Sequence, residues 1–436
     1  MPWDTSYGTL SPRTRPPPGA PDRILVIEKT RRRRRRCCKK ILRSLFFKVL
    51  IVLAVISTLL WHFAAFAGEI ICYTNFLSPP FPLPPARSNF KNQTFSVGFD
   101  LTAGYATAAV LFDNGTIVNV ARIEGTPEYN AALTRLSLES SAQTPTPPYY
   151  NCTAQLSDLP RQWLRYLREL THQPASPDAA VLASLLTQLK AATNTYLGPR
   201  GPLEQVFLTT PPLPGLYNEP LLDAADAAGI QMLTLPWYIH RSGDSAQYPV
   251  TTINAAFAGM CLGLKGLNIT TPCNEDSESA SDAIFSVLFT KHALAAHLTP
   301  LASAPHFYAA KGVVDFTLGS GAKRNAPNRP ALPIDVYWRA VRAALREALG
   351  SYYIGARLGR VVVYGDAADD EDFNKILREE VLAAQESDEE GERPVFVSSE
   401  AVYAGARGAA MFAKLCSGLP PWGSCFPDLR PAPQGW

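Results

Sequence analysis

The chain has 436 residues, of which 47% are apolar, so it is long enough to bury one large or two ordinary hydrophobic cores. Its formal net charge of +3 is unevenly distributed, because basic residues are concentrated near the N-terminus and the remainder is close to neutral. A mostly disordered chain is therefore excluded, and the charge is informative about topology.

The N-terminal region predicts a disordered cytosolic tail over residues 1–48, followed by a membrane anchor. Residues Met1–Thr30 are rich in Pro, Arg, Ser and Thr and show no sustained periodicity, so they lack the apolar surface needed to order themselves. The run Val49–Gly68 then contains twenty residues without a formal charge. This length suits one helical crossing of a bilayer core, which is about 30 Å thick. A cleaved signal peptide is disfavoured, because the basic tail is long and the apolar run exceeds a usual signal-peptide core.

The basic cluster Arg31–Arg36 lies before the apolar run, whereas few basic residues follow the run closely. By the positive-inside rule, the N-terminus is cytosolic and the folded part is lumenal or extracellular, in a membrane of the secretory pathway or at the cell surface. Beside a span, the cluster favours contact with anionic lipid or sorting over a nuclear signal or nucleic-acid patch. No nucleic-acid partner is expected. Cys37 and Cys38 are candidates for palmitoylation at the cytosolic face.

Two further features support a lumenal location. Acceptor sequences for N-linked glycans begin at Asn92, Asn114, Asn151 and Asn268. Six cysteines follow the apolar run, an even number that is compatible with disulfides in an oxidising compartment: Cys72, Cys152, Cys261, Cys273, Cys416 and Cys425.

Many pairings of these cysteines are possible, and the preferred ones close short loops. They are Cys261–Cys273 and Cys416–Cys425, which leaves Cys72 with Cys152. A structural zinc site is disfavoured, because the sequence contains no CxxC or HxxxH spacing.

Residues 69–94 predict a Pro-rich stem, in which Leu77–Arg87 should be extended and semi-rigid. A three-strand meander is expected next. Apolar alternation in Ser96–Leu101, a β-rich run in Ala106–Phe112 and a return run in Thr116–Arg122 are connected by short turns, the second of which is Asp113–Asn114–Gly115.

Helical and β-like patterns alternate through the rest of the chain, which favours an α/β fold. Helices are predicted over residues 156–170, 178–197, 220–228, 334–349 and 399–415, with Gly229 ending the third and Ser398 or Ser399 capping the last. Strands are predicted over residues 206–210, 284–290, 313–318 and 361–364.

The order of these segments resembles a known superfamily. Phe95–Arg122 looks like the opening strands of an actin-like ATPase. Five later segments resemble successive parts of the 70-kDa heat-shock protein family, including its two interlobe crossing helices: Gln205–Leu233, Ala255–Leu264, Ala309–Ala322, Val361–Asp366 and Glu400–Ala410. The resemblance implies a two-lobed actin-like (ribonuclease-H-like) domain over residues 95–415, after a single transmembrane helix and before a tail of residues 416–436. No substrate-binding β domain is expected after it.

The resemblance also implies ATP and Mg²⁺ as ligands. Asp100, which closes the first strand, would position a metal-bound water or the Mg²⁺ beside a phosphate. Gly104 and Gly365 would permit close approach of the nucleotide.

Departures from the family pattern predict a degenerate ATPase with weak or no hydrolysis. The first phosphate turn is rewritten as Thr102, Ala103 and Gly104. Where the second phosphate loop should place an acid and glycines, the chain has Thr290–Lys291–His292. Side chains there crowd the backbone donors that a phosphate needs. The favoured function is a nucleotide-binding or scaffolding module that engages an unknown protein partner.

Two other functions compete with this one. The acids Asp370–Glu371–Asp372 match the DxD pattern of type II membrane glycosyltransferases, which bind a sugar nucleotide through Mn²⁺, although acidic residues at a helix N-terminus explain them more simply. A ligand-free adhesion or assembly protein is the other alternative. Gly319–Lys323 hints at a P-loop but lacks its spacing, so a turn is predicted.

Overall fold

The structure is a computed structural model that describes residues 51–53, 55–58, 94–142, 152–171, 173–233, 250–265, 273, 283–301, 303–305, 311–323, 333–350, 358–385 and 393–417. The chain divides into two units, Met1–Phe81 and Pro82–Trp436. In the first unit, residues 51–53 and 55–58 are helical. Within the described ranges, no helix combines the length and apolarity needed to cross a membrane.

Several predictions about the N-terminal region fall outside the described residues. These are most of the span Val49–Gly68, the basic cluster Arg31–Arg36, the cysteines Cys37 and Cys38, and nearly all of the stem at 69–94.

The first sheet of the second unit has five strands in the order β3-β2-β1-β4-β5. β1 pairs antiparallel with β2, and β2 with β3, so the predicted meander is confirmed, whereas β4 and β5 join in parallel. The strands are β1 Phe95–Thr102, β2 Tyr105–Phe112, β3 Ile117–Glu124, β4 Gln205–Thr209 and β5 Gln231–Leu233.

The second sheet repeats this plan in the order β10-β9-β6-β7-β8. Again an antiparallel meander, β6-β7-β8, carries two parallel strands beside its first strand. The strands are β6 Ala283–Phe289, β7 Leu294–Pro300, β8 Lys311–Asp315, β9 Leu358–Tyr364 and β10 Val395–Val397. The α/β class is confirmed, and the repeated strand order fits the two-lobed, actin-like fold. We call the sheet β1–β5 with its helices the first lobe, and the sheet β6–β10 with its helices the second lobe.

The helices are α1 Pro127–Leu136, α2 Cys152–Leu170, α3 Pro177–Leu197, α4 Asn218–Ala227, α5 Thr252–Gly259, α6 Ile334–Gly350, α7 Glu371–Gln385 and α8 Ala404–Ser417. Local chemistry explains several of their ends. The hydroxyls of Thr126 and Ser176 cap α1 and α3. Gly229, with φ +64°, ends α4 as predicted.

Helices α5 and α8, which the resemblance matches to the two crossing helices, pack backbone to backbone. A β-carbon on Gly259 would lie 2.0 Å from the carbonyl oxygen of Ala404, and one on Gly408 would lie 1.8 Å from that of Ala255. Gly98 of β1 approaches α8 equally closely, since its β-carbon would lie 2.1 Å from the amide nitrogen of Ala410. Small residues are therefore required where these elements cross.

Several predicted element bounds differ from the structure by three or more residues, and three of these differences have a clear local reason. The first crossing helix ends at Gly259, because Cys261 and Gly263 adopt φ values of +63° and +65°. The last helix begins at Ala404 rather than at Ser399, because Glu400 has a φ of +51°, which a right-handed helix does not allow. Strand β8 stops at Asp315, whose carboxylate accepts a hydrogen bond from the amide of Thr317 at 2.6 Å and turns the chain.

Candidate functional site

Asp100 lies near the end of β1 and is almost fully buried, with 2% of its surface exposed. Its carboxylate accepts three hydrogen bonds from threonine hydroxyls. The donors are Thr102 at 2.8 Å, Thr209 at 2.8 Å and Thr252 at 2.6 Å, which come from β1, β4 and the first turn of α5. The acid therefore joins the first sheet to a crossing helix.

The surroundings of this carboxylate disfavour its charged form. Burial raises the pKa of Asp100, and the hydrogen bonds from Thr252, Thr209 and Thr102 only partly offset that effect. Helix α8 also lies directly against the group, because a β-carbon on Gly405 would be 2.2 Å from the Asp100 Oδ2 atom. Mg²⁺ dehydrates reluctantly and usually keeps several waters. Side chains and backbone fill the space around Asp100, so this arrangement does not fit a hydrated Mg²⁺.

Gly104 follows in the β1–β2 turn, and the side chain that approaches it belongs to the other lobe. Gly104 has a φ of +95°, and a β-carbon there would lie 2.2 Å from Cδ2 of His292. His292 lies in the β6–β7 turn of the second lobe and is partly buried. Burial, with the neighbouring Lys291 charge, lowers the pKa of His292, so its ring is neutral at pH 7. The glycine predicted to admit a ligand thus admits an imidazole.

The backbone donors of the β6–β7 turn already have partners. The amides of His292 and Ala293 donate to the Thr290 hydroxyl at 3.1 and 2.9 Å. The amide of Lys291 donates to the Asp366 carboxylate at 2.9 Å. A phosphate loop must present such N–H groups to the ligand. Here side-chain oxygens of the protein accept from all three.

The register of the two sheets corrects the predicted place of the second acid. Asp100 pairs with Thr107 on the next antiparallel strand and with Thr209 on the parallel one. In the second sheet, Leu288 pairs in the same way, with Ala295 on the antiparallel strand β7 and with Tyr364 on the parallel strand β9. The counterpart of Asp100 is therefore Leu288, two residues before the predicted Thr290, and it is an apolar residue with 1% exposure.

Gly365, at the end of β9, has a φ of +112° and is approached by the protein's own backbone. A β-carbon there would lie 2.2 Å from the carbonyl oxygen of Phe289 and 3.2 Å from Cδ1 of Leu288. The Gly365 amide donates to the carbonyl of Ala401 at 3.0 Å. This glycine is required for packing against β6. Roles of Asp100, Gly104 and Gly365 toward a nucleotide stay predictions.

An ion pair joins the two lobes next to Gly365. The guanidinium of Arg122 on β3 contacts the carboxylate of Asp366 at 2.8 Å and lies 4.4 Å from the ring centroid of Tyr105. Asn119 of β3 also donates to Glu400, before α8, at 2.8 Å. These polar contacts hold the first sheet against the turns of the second lobe.

The other predicted motifs have structural roles. Asp370 caps α7, since its carboxylate accepts from the Phe373 amide at 3.0 Å and also pairs with Lys323. The simpler interpretation of the acidic triplet is thus confirmed. Gly319–Lys323 forms a turn with a short 3-10 helix, as predicted. Within the part of the chain that the structure describes, no group of three acidic, histidine or cysteine side chains is arranged to hold a metal ion.

The disulfide Cys261–Cys273 is present, which confirms that pairing. Cys416 is buried near the end of α8, and Cys152 begins α2, but Cys72 and Cys425 lie outside the described residues. Of the glycan acceptors, Asn114 is exposed in the β2–β3 turn. Asn92, Asn151 and Asn268 lie outside the described residues.

Sequence reasoning missed Thr209 and Thr252 as partners of Asp100, and it missed Asp366, which accepts from the β6–β7 turn and pairs with Arg122. One signal was available for the first two. Pairs of threonines, Thr209–Thr210 and Thr251–Thr252, stand at the ends of the two elements that meet Asp100. Nothing local marks Arg122 and Asp366, which are far apart in sequence.

Comparison with known proteins finds little at the level of sequence: no protein-family model matches the chain, and no curated protein does. Among solved structures, one match is the ethanolamine utilization protein EutJ from Carboxydothermus hydrogenoformans. It shares 15% identity, with a TM-score of 0.39, over 76% of this chain and 91% of the EutJ chain. The fit to an actin-like fold therefore depends on the repeated strand order and register described above.

Proposed function

We propose that this chain is a membrane-anchored scaffold with an actin-like lumenal domain, in which protein contacts replace the nucleotide. One observation carries the proposal. Three of the four backbone N–H groups of the β6–β7 turn donate to side chains of Thr290 and Asp366 and the fourth to the carbonyl of Ala293, while His292 from the same turn covers Gly104. A triphosphate would have to displace these contacts before it could bind.

Hydrolysis is disfavoured for a separate reason. Positioning of a metal and an attacking water in phosphoryl transfer depends on charged oxygen ligands. In this chain the acid of the first lobe is enclosed by three hydroxyls, and its counterpart in the second lobe is Leu288. We therefore infer that the domain works as a fixed two-lobed body that binds a protein partner.

Anchorage is supported by the sequence. The uncharged run Val49–Gly68 follows the basic cluster Arg31–Arg36, which is the arrangement expected of a type II anchor with a cytosolic N-terminus. The disulfide Cys261–Cys273 is in keeping with an oxidising compartment on the other side.

The test is calorimetric titration of the full-length chain in detergent micelles with ATP and Mg²⁺. We expect no heat of binding and no rise in melting temperature. Binding at millimolar ATP or tighter would overturn the proposal. The variant Thr290→Gly/His292→Gly is the matched comparison: heat with this variant but not with the wild type would locate the block at these two side chains.

A sugar nucleotide with Mn²⁺ forms the second arm of the titration, because the glycosyltransferase alternative predicts binding there. No described contact favours that alternative, since Asp370 is engaged as a helix cap with Lys323. Manganese-dependent binding that is lost in Asp372→Ala would nevertheless establish it.

A further inference from the structure

Helix α2 presents a continuous apolar stripe to solvent. Its members recur at helical spacing and each exposes between 43% and 60% of its surface: Leu159, Trp163, Leu164, Tyr166 and Leu167. We call this set the α2 apolar face. Trp163 and Tyr166 lie edge to face with ring centroids 6.0 Å apart. Exposed apolar residues scattered singly are common, but a stripe of this size with two aromatic rings indicates an interaction surface.

The polar side of the same helix faces the protein. Arg161 contacts Glu219 of α4 at 2.5 Å, and Arg165 contacts Asp223 of α4 at 2.5 Å. Gln162 donates to Glu219 at 2.9 Å. The side chains of Glu219 and Asp223 are 13% and 8% exposed, so these pairs are shielded from water on the acidic side.

This orientation is the reverse of that of an ordinary surface helix, which buries its apolar stripe and exposes its charges. Rotating α2 to hide the stripe would leave the buried carboxylates of Glu219 and Asp223 without their arginines. Uncompensated buried charge is strongly unfavourable. The ion pairs therefore fix the apolar face outward.

We propose that the α2 apolar face lies in the interfacial layer of the bilayer to which the chain is anchored; this inference rests on the anchorage proposed above. The composition fits that occupant. Trp and Tyr are enriched at membrane interfaces, where an apolar ring and a polar edge are both accommodated, and leucines enter the acyl boundary. The face contains no charged residue, and Arg161 and Arg165 of α2 are paired with α4.

The length of the stem allows this contact. Residues 69–94 are 26 residues, which span at most about 90 Å when fully extended. A domain of this size has a radius of gyration of about 20 Å. The tether therefore lets any face of the domain reach the membrane, and it keeps the local concentration of bilayer surface high.

The experiment uses the full-length chain in vesicles of phosphatidylcholine and the same vesicles made with brominated phosphatidylcholine, which quenches tryptophan fluorescence within the acyl boundary. The contribution of Trp163 to the fluorescence is the difference between the emission of the wild type and that of Trp163→Phe. We expect brominated lipid to reduce that contribution about twofold or more, as for a ring about 5–10 Å deep. Trp338, packed against Tyr337 and Lys323 in the second lobe, is the control, and its contribution should not change.

A second variant tests the face without removing the probe. Leu164→Asp/Leu167→Asp should abolish the quenching of Trp163, because it places charges in the acyl boundary. Leu382→Asp on α7, which is similarly exposed at 39%, should leave the quenching intact.

The possible results distinguish the proposed anchorage from the proposed bilayer contact of the α2 apolar face. Wild-type chain that fails to float with vesicles overturns both the anchorage and the bilayer contact. Chain that floats but shows equal Trp163 fluorescence in both lipids overturns the bilayer contact alone. If Trp163 is unquenched while the chain sediments as a dimer that Leu164→Asp/Leu167→Asp dissociates, a second copy covers the face instead.

Discussion

Cδ2 of His292 would lie 2.2 Å from a β-carbon on Gly104, so the imidazole of one lobe occupies the space above the first turn of the other. A neutral imidazole that packs on a glycine joins the lobes directly. The contact is therefore part of the folded state and helps to hold the two lobes together.

Gly104→Ala should destabilise the protein for two reasons: its φ of +95° and the clash with His292. The matched control is Gly201→Ala, whose φ is +108° but whose β-carbon would meet nothing within 4 Å. Strain at such a φ costs about 1–3 kcal/mol, and overpacking adds about 1–3 kcal/mol at Gly104 only. Urea unfolding of both variants measures the difference.

The same series includes the double variant Gly104→Ala/His292→Ala. The alanine at position 104 should cost less in the His292→Ala background than in the wild type. Equal costs in the two backgrounds would mean that His292 does not lie over Gly104.

Thr252→Val should reduce the free energy of unfolding by about 1–3 kcal/mol, because it removes a hydroxyl donor from a buried carboxylate. The control is Thr193→Val in α3, since Thr193 is equally buried but its hydroxyl has no hydrogen-bond partner among the residues that the structure describes. That substitution should be neutral or stabilising. Chemical denaturation at pH 7 compares the two.

In an Asp100→Asn background, the penalty of Thr252→Val should shrink, because the acceptor has lost its charge. An unchanged penalty would show that the hydroxyl of Thr252 acts independently of Asp100.

His297, buried in β7 and paired across the sheet with Gly312 of β8, should make the protein less stable in acid. Burial lowers its pKa from 6.5 to about 4, so as the pH falls the unfolded chain takes up the proton first. The stability that neutral His297 contributes is therefore fully present above pH 6.5, and it is lost progressively between pH 6.5 and about 4. The shift corresponds to a loss of up to about 3 kcal/mol. Unfolding free energies of the wild type and His297→Gln, measured at several pH values in this window, should differ in slope. Identical slopes would assign the acid sensitivity to other groups.

Asn114 should carry an N-linked glycan if the folded domain is lumenal, since it is exposed in a turn and begins an acceptor sequence. Asn114→Gln should remove the part of the gel-mobility shift that one glycan causes. An endoglycosidase should reverse that same shift in the wild type. Asn130→Gln, outside any acceptor sequence, is the control. Wild-type chain from secretory cells with no endoglycosidase-sensitive shift would contradict the predicted orientation.

Local patterns were sufficient for much of the architecture. The alternation in β1 and β2 and the Asp113–Asn114–Gly115 turn specify a meander, because each strand alternates with a period of two residues and the turn residues tolerate the required backbone angles. The end of α4 at Gly229 and the short loop closed by Cys261–Cys273 were predictable for the same reason. In each case the determining residues are close together in the chain.

The site was decided by the tertiary structure. Asp100 meets Thr209 and Thr252, and Gly104 meets His292, across more than a hundred residues of sequence. Only the register of the second sheet shows that Leu288 is the counterpart of Asp100. Amphipathic spacing predicts helix α2, but the carboxylates of α4 decide which of its faces is buried. By itself, the sequence determined the first meander, its Asp113–Asn114–Gly115 turn and most helices, because their causes are local. Packing between distant segments decided what fills the space between the lobes and which surface remains exposed.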